Sequence, residues 1–102
     1  MRKARIFVND IEAGIFEKLK GDKYKFTYHP DYQDGPVSLT MPLKNKIYEF
    51  DVFPAFFEGL LPEGTMLEAL LRKYKIDKND YFGQLIKVGL DVVGAVTIEE
   101  LE

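Results

Sequence analysis

The sequence predicts an α+β domain with a small antiparallel or mixed sheet of about five strands and three short helices. Two observations predict this class. In the first half of the chain, apolar and polar residues alternate in short segments separated by turn residues, as in strands. After residue 50 the apolar spacing becomes helical, and the segment "VVGAVTI" near the end returns to strand composition. Strands followed by helices, with a closing strand, are typical of an α+β fold.

The first three predicted strands form a meander. "KARIFVN" and "GIFEKL" flank Asn9-Asp10, which is typical of a tight hairpin turn. A second turn, "GDK", precedes "YKFTYH". Strict alternation in that segment puts Tyr24, Phe26 and Tyr28 on one face of the sheet.

The fourth predicted strand is "VSLTMPL", residues 37–43, which follows the loop "PDYQDGP" at residues 30–36. Pro42 has no N–H to donate, so it should stand at the end of this strand or on a sheet edge. Three apolar residues should share one side of the strand: Val37, Leu39 and Met41.

A first short helix is predicted from about residue 53 to residue 60, with Asp51 as its cap and Pro54 in its first turn. A second helix should begin at a capping box formed by Thr65 and Glu68. Its apolar stripe contains five residues: Met66, Leu67, Leu70, Leu71 and Tyr74.

The third predicted helix lies in "KNDYFGQLIKVG", with Asp77 as its cap. Phe82, Leu85 and Ile86 should face inward. The strand "VVGAVTI" follows and is expected to rejoin the sheet. Gly94 in that segment suggests a bulge or a close backbone approach.

Composition limits the classes of function. A chain of 102 residues is expected to form one domain, residues 1–102, and its hydrophobic fraction of 46% is that of a globular protein. It contains no cysteine, no signal-peptide pattern and no apolar run long enough to cross a membrane, so a soluble cytoplasmic protein is expected. The formal net charge of −3 argues against direct nucleic-acid binding.

Catalytic chemistry has little support in the sequence. His29 is the only histidine, and it follows a strand on the polar face. Glycine-rich phosphate motifs and nucleophile elbows do not occur. Carboxylate pairs such as Asp31/Asp34 and Glu58/Glu63 are expected by chance in a chain with 17 acidic residues. We therefore expect no enzyme, no cofactor and no metal site, and a small acidic hydrolase lacks a coherent site.

The segment "FFEGLLPEG" allows two interpretations. Phe53, Phe56 and Phe57 cannot all point inward from one face of a short helix, because neighbouring residues diverge by about 100°. Either the helix is buried on both sides, or one of these rings joins Leu61 and Pro62 in an exposed patch for a partner. The residues alone favour the first interpretation.

Three blocks together, "VSLTMPL", "FFEGLLPEG" and "FGQLIKVGLDVVGAVTI", resemble the N-terminal subdomain of HipA-type serine/threonine kinases. They occur in the family's order and separations and cover nearly the whole chain. The matching positions are Ser38, Leu39, Pro42, Leu43, Phe56, Phe57, Leu60, Leu61, Pro62, Glu63, Phe82, Leu85, Gly89, Asp91, Gly94, Ala95 and Val96.

The chain contains no segment that resembles the ATP-binding or catalytic part of that family. In this it is similar to HipS-like antitoxins of the HipBST toxin–antitoxin systems. The resemblance implies a protein that binds and inhibits a HipT-like kinase in trans, with a HipB-like DNA-binding protein reached through a ternary complex. The alternative is a scaffold subdomain of a larger HipA-type kinase that is not inhibitory by itself.

By the same resemblance, the corner between the first two helices faces the kinase. The expected partner-binding residues are Leu61, Pro62, Glu63, Gly64, Thr65 and Met66. Some HipS-like proteins carry a bulky aromatic residue at such a site, whereas Thr65 and Met66 are smaller and argue against a plug. Met66 also lies on the apolar stripe, so we expect it to pack in the core. Further core residues expected here are Phe56, Leu60, Leu67 and Leu71.

Overall fold

A computed structural model describes residues 2–89 and 94–101 as a sheet covered on one face by helices. In those residues the strands are β1 (Arg2–Val8), β2 (Ile11–Lys18), β3 (Tyr24–Tyr28), β4 (Ile47–Phe50) and β5 (Val96–Leu101). The helices are α1 (Ala55–Glu58), α2 (Gly64–Tyr74) and α3 (Tyr81–Val88), and Lys20–Asp22 form one 3₁₀ turn. The strand order is β4-β3-β2-β1-β5, and every pairing is antiparallel. The predicted fold class is confirmed.

The turn of the first hairpin has the conformation that its two residues, Asn9 and Asp10, favour. Asn9 and Asp10 both have left-handed backbones, with φ values of 50° and 68°. Two consecutive residues with positive φ give a type I′ turn, whose twist matches that of the flanking strands. Val8 therefore pairs with Ile11, and after a shift in register between Phe7 and Ile6 the pairing extends to Arg2 opposite Lys18.

An aromatic core fills the space between the sheet and the helices. Phe16 of β2 stacks on Phe57 of α1, with 4.3 Å between ring centroids, and on Phe82 of α3 at 5.4 Å. All three rings are fully buried, and each contributes roughly 1.5–3 kcal/mol through burial. The predicted inner face of β3 is confirmed by three buried residues: Tyr24, Phe26 and Tyr28.

The predicted strand at residues 37–43 is wrong. These residues belong to an irregular connection, and Ile47–Phe50 pairs with β3 instead. Val37 and Met41 are buried, but Leu39 between them is 94% exposed. The apolar alternation that suggested a strand thus reflects two loop residues anchored in the core and a third outside it.

Hydrogen bonds from tyrosines hold this connection in place. The Tyr28 hydroxyl accepts from the Val37 N–H at 2.9 Å, and the Tyr48 hydroxyl donates to the Pro42 carbonyl at 2.5 Å. The Met41 N–H donates to the Ser38 carbonyl, which closes a turn. These side chains satisfy backbone groups that a strand would have paired with a neighbouring strand.

Two predicted caps are also corrected. α1 is shorter than predicted, and Pro54 stands at its N-cap position in place of Asp51. The cap of α3 is Asp80, whose carboxylate accepts from the Gly83 N–H at 3.0 Å. Asp77 instead accepts from the Asn79 N–H and forms a turn just before the helix.

The closing strand rejoins the sheet as predicted, and it pairs with β1 from Val96 to Leu101. The Ile98 N–H donates to the Gly89 carbonyl at 2.9 Å, so the end of α3 covers part of this sheet edge. A Cβ on Gly89 would lie 2.4 Å from the Ile98 carbonyl oxygen, which explains the glycine there. Residues 90–93, including Asp91 and the first part of "VVGAVTI", lie outside the described residues.

Candidate functional site

The candidate site is the corner that connects α1 to α2, residues 61–66. The Leu61 N–H donates to the Glu58 carbonyl at 3.1 Å, which continues the turn beyond α1. Glu63 is extended, and Gly64 then starts α2 with a left-handed φ of 60°. Most residues avoid this region because of their Cβ, so glycine makes the sharp change of direction possible.

The predicted capping box is wrong. α2 starts at Gly64 with Glu63 at the N-cap position, and no side chain among the described residues caps it. Thr65 therefore lies inside the first turn, and Glu68 is exposed. The left-handed backbone at Gly64 allows the helix to start earlier than the residue pattern predicts.

The solvent exposure of the corner residues agrees with the prediction for some of them but not for Met66. Glu63, Gly64 and Thr65 are exposed, and Leu61 and Pro62 are half-buried. Met66 is 73% exposed, so the prediction that it packs in the core is wrong.

The aromatic residues before the corner follow the first of the two interpretations. Phe53, just before α1, and Phe57 within it are both buried, and Phe56 packs edge-on against Phe57 with 5.3 Å between centroids. Phe56 and Leu60 are half-buried and pack against the core, rather than lying in it as predicted. None of these three phenylalanines forms an exposed patch.

Helix α2 buries none of its side chains. Its predicted core residues Leu67 and Leu71 are only half-buried and are not part of the core formed by the described residues. Leu70 is also half-buried, and Tyr74 is exposed. An amphipathic helix normally turns its apolar stripe towards the core, so this stripe is unusually accessible.

Two clefts flank the corner, and Pro62 lines both. The first, here the corner cleft, has a volume of about 330 Å³ and separates the corner from the start of α3. Its wall carries Leu61 and Leu67 together with the carboxylates of Glu58 and Glu63. The second, here the apolar groove, has a volume of about 270 Å³ and lies between α2 and α3.

The apolar groove has an apolar floor and a basic rim. Met66 and Leu70 line it, and the Lys73 and Lys87 ammonium groups lie 5.3 and 5.1 Å from the centroid of the Tyr74 ring. Such cation–π contacts keep the lysine side chains folded over the tyrosine. The corner is therefore a ridge between a cleft lined by two glutamates and one lysine and a groove with a basic rim.

A second group of polar side chains lies on the outer face of the sheet. His29 contacts Glu12 on the outer face of the sheet, where Arg5 bridges Glu12 and Glu99. These four side chains are separate from the corner. Among residues 2–89 and 94–101 there is no cluster of metal-ligating side chains, and no helix there is long and apolar enough to span a bilayer.

Two features of the structure are not predicted from the sequence, one beside the corner and one away from it. Gln84 is buried under the corner cleft, although a polar residue in a helix is normally expected to face solvent. The residue pattern carries no signal of this burial, because the turn at Asp77 and Lys78 that receives the Gln84 amide is visible only in the fold. Leu39, the second feature, protrudes from the connection between β3 and β4.

Known proteins match the chain over nearly its full length. A family model described as the HipA N-terminal domain matches residues 4–99. The chain belongs to the HipA N-terminal domain family. That family covers the N-terminal domain of HipA and not its catalytic part.

Two relatives support this assignment. A Haemophilus influenzae protein whose name gives no function is 35% identical over 101 residues, which cover 98% of this chain and 93% of that protein. A solved structure named "N-terminal domain of HipA toxin" is 27% identical and superposes with a TM-score of 0.79, covering all of this chain and 94% of that one. The HipA N-terminal fold therefore accounts for all the elements described above.

Proposed function

We propose that this HipA N-terminal domain protein is an antitoxin that binds a HipT-like serine/threonine kinase in trans and inhibits it. The observation that carries the proposal is the exposed apolar surface of α2, where Met66 is 73% exposed and no side chain is buried. Contiguous apolar surface of this kind marks binding sites on soluble proteins. The partner-binding residues are those of the corner: Leu61, Pro62, Glu63, Gly64, Thr65 and Met66.

The corner is preorganised for docking. Pro62 fixes its own φ, and Gly64 sets the direction of α2, so little backbone entropy is lost on binding. Inhibition by a large inserted ring is not part of the proposal, because positions 65 and 66 carry threonine and methionine. Met66 adapts well to an irregular partner surface because its side chain is flexible.

The size of the Haemophilus influenzae relative supports action in trans. This chain covers 93% of that protein, so a protein of about this length exists in the family without a kinase body. A separate protein of this kind acts on a kinase only by association.

DNA contact in this proposal comes from a HipB-like protein that joins a ternary complex with the kinase. The net charge of −3 makes direct binding to the phosphate backbone unfavourable. We propose no direct nucleic-acid contact for this chain.

A second candidate function is that of a non-inhibitory scaffold domain within a full-length HipA-type kinase. It is favoured by the solved relative, which is named as a domain of HipA toxin. In that case the same corner packs permanently against the kinase body and assists its folding.

The test requires a HipT-like kinase encoded beside this gene, which is purified alone and with this protein. Under the antitoxin proposal the two form a complex, and the free kinase is active while the complexed kinase is not. Under the scaffold alternative the kinase is inactive or unstable alone, and adding the domain raises its activity. Failure to form any complex would reject the antitoxin proposal.

A further inference from the structure

The corner cleft is lined by a buried polar side chain, Gln84, whose amide nitrogen donates hydrogen bonds while its amide oxygen accepts none from the described residues. Gln84 is 1% exposed and lines the cleft. Its amide nitrogen donates to the carbonyl of Asp77 at 3.3 Å and to that of Lys78 at 3.0 Å. These two acceptors fix the orientation of the amide group, because only the NH₂ end can face two carbonyls.

The Gln84 amide oxygen is consequently turned away from those carbonyls. It accepts no hydrogen bond from the residues that the structure describes. Over the same residues, no fully buried side-chain polar atom lacks a partner, so this oxygen keeps a small contact with solvent although Gln84 as a whole is 1% exposed, and Gln84 is one of the residues that line the cleft. An acceptor fixed at the base of a cleft favours a ligand that donates hydrogen bonds.

The wall of the cleft adds negative charge to this acceptor. Glu58 and Glu63 both line it, and neither forms an ion pair within residues 2–89 and 94–101. Lys78 is the one cation among the lining residues, and it too is unpaired within those ranges. Tyr81 provides an aromatic surface and Leu67 an apolar one.

We propose that the corner cleft binds the guanidinium group of an arginine side chain presented by the partner kinase. This rests on the proposed function, and it specifies the chemistry by which the corner recognises its partner. Two carboxylates and one fixed amide oxygen supply acceptors for several N–H groups, and the apolar wall covers the methylene stem.

Arginine fits these features better than lysine does. Its planar fork of five N–H donors satisfies a carboxylate and a neighbouring amide oxygen together, and its face stacks on a tyrosine ring. Its ion is also less strongly hydrated than an ammonium group, which lowers the cost of entering a cleft. A volume of about 330 Å³ lies at the lower end of the range for binding pockets and accommodates one such side chain.

The test uses the intact protein and three small probes: N-acetyl-arginine amide, N-acetyl-lysine amide and N-acetyl-citrulline amide, the uncharged isostere of arginine. NMR follows the side-chain amide of Gln84 and the backbone amide of Tyr81. We expect saturable shifts with the arginine probe, with a Kd on the order of 10 mM, weaker shifts with lysine and none with citrulline.

Matched variants locate the binding. Glu58→Gln and Glu63→Gln should each weaken the arginine probe about 2- to 5-fold, and Lys78→Gln should strengthen it by a similar factor. Glu49→Gln is the control, because Glu49 is also exposed but lies on β4, outside the cleft. Equal responses to arginine and citrulline, or unchanged affinity in both cleft variants, would overturn the proposal.

Binding measurements with the kinase distinguish a failure of the arginine-site inference from a failure of the antitoxin proposal. If the kinase does not bind but the arginine probe saturates, the antitoxin proposal fails and the arginine site remains. If the kinase binds, the probe does not, and the double variant Glu58→Gln/Glu63→Gln leaves kinase affinity unchanged, the site is rejected and the antitoxin proposal remains.

Discussion

The hydroxyl group of Tyr28, at the end of β3, donates a hydrogen bond to the main-chain carbonyl of Met41 at 2.5 Å. The same hydroxyl accepts from the Val37 N–H. One side chain thus holds two points of the connection between β3 and β4 against the core. Both hydrogen bonds are buried, so their loss leaves unpaired polar groups.

Tyr28→Phe should lower the free energy of unfolding by about 2–4 kcal/mol, because an N–H and a carbonyl lose their partner in a buried place. Urea denaturation measures the change. Tyr81→Phe is the control, since the Tyr81 hydroxyl makes no hydrogen bond to the described residues. A loss below about 1 kcal/mol for Tyr28→Phe would show that the connection is held by other contacts.

The stability should also fall at alkaline pH. Burial raises the pKa of Tyr28, and that of Tyr24 and Tyr32, above the ordinary value of 10.0. The unfolded chain therefore loses these protons at a lower pH than the folded protein does, so the stabilisation is complete below about pH 10 and decreases above it.

Urea denaturation between about pH 9 and pH 11 measures this effect, and tyrosinate absorbance of the folded protein follows the ionisation itself. We expect Tyr24, Tyr28 and Tyr32 to ionise at a pH above the ordinary tyrosine pKa of 10.0. Ionisation of these three side chains near pH 10, with the fold intact, would contradict the burial of their hydroxyls.

Mutation of Asp80, which caps α3, and of Thr65, which the sequence predicts to cap α2, should affect stability differently. Asp80→Ala removes a carboxylate that accepts from the Gly83 N–H and from Arg2, and should cost about 1–2 kcal/mol. Thr65→Ala should change stability by less than about 0.5 kcal/mol, because Thr65 is exposed and does not cap α2. Thermal denaturation compares the two variants. Equal losses of stability in the two variants would indicate that Thr65 caps α2, as the sequence suggests.

Substitution of Gly64 by alanine should destabilise the protein, because the backbone of Gly64 is left-handed. Gly64→Ala should destabilise the protein by about 1–2 kcal/mol through backbone strain alone, since no atom lies within 4 Å of the added Cβ. Gly59→Ala is the matched control, because Gly59 has a helical φ of −64° and its Cβ would make ordinary contacts. Urea denaturation should show Gly59→Ala to be neutral or slightly stabilising.

Much of the fold is predictable because local patterns and tertiary packing agree. The Asn9-Asp10 turn, the inner face of β3 and the return of the last strand all follow from residue type and spacing. The strand at 37–43 fails because Val37 and Met41 are anchored by the core and by Tyr28, not by a neighbouring strand. Alternation alone does not distinguish these two causes.

The corner is predictable as a segment but not in its details. Its proline and glycine mark a change of direction in any sequence. Whether Met66 faces the core or solvent depends on how α2 is rotated relative to α3, which the spacing of apolar residues does not determine. The cleft beside Glu63 is formed by the packing of α3, and no residue pattern indicates it.

Kinase binding should be sensitive to charge at the corner. Glu63→Lys should weaken binding to the kinase while leaving the thermal unfolding temperature nearly unchanged, because Glu63 is exposed and unpaired within the described residues. Glu49→Lys on β4 makes the same charge change away from the corner and should have no effect on binding. Isothermal titration calorimetry measures both, and equal weakening by the two variants would reject the corner as the interface.

The most direct measurement is autophosphorylation by a HipT-like kinase encoded beside this gene, titrated with this protein at kinase concentrations well above the Kd of the complex. The antitoxin function predicts that the rate falls in proportion to the protein added until the kinase is fully bound, and that Glu63→Lys requires more protein for the same effect. A rate that stays constant or rises while the complex forms would contradict the antitoxin function and favour the scaffold alternative.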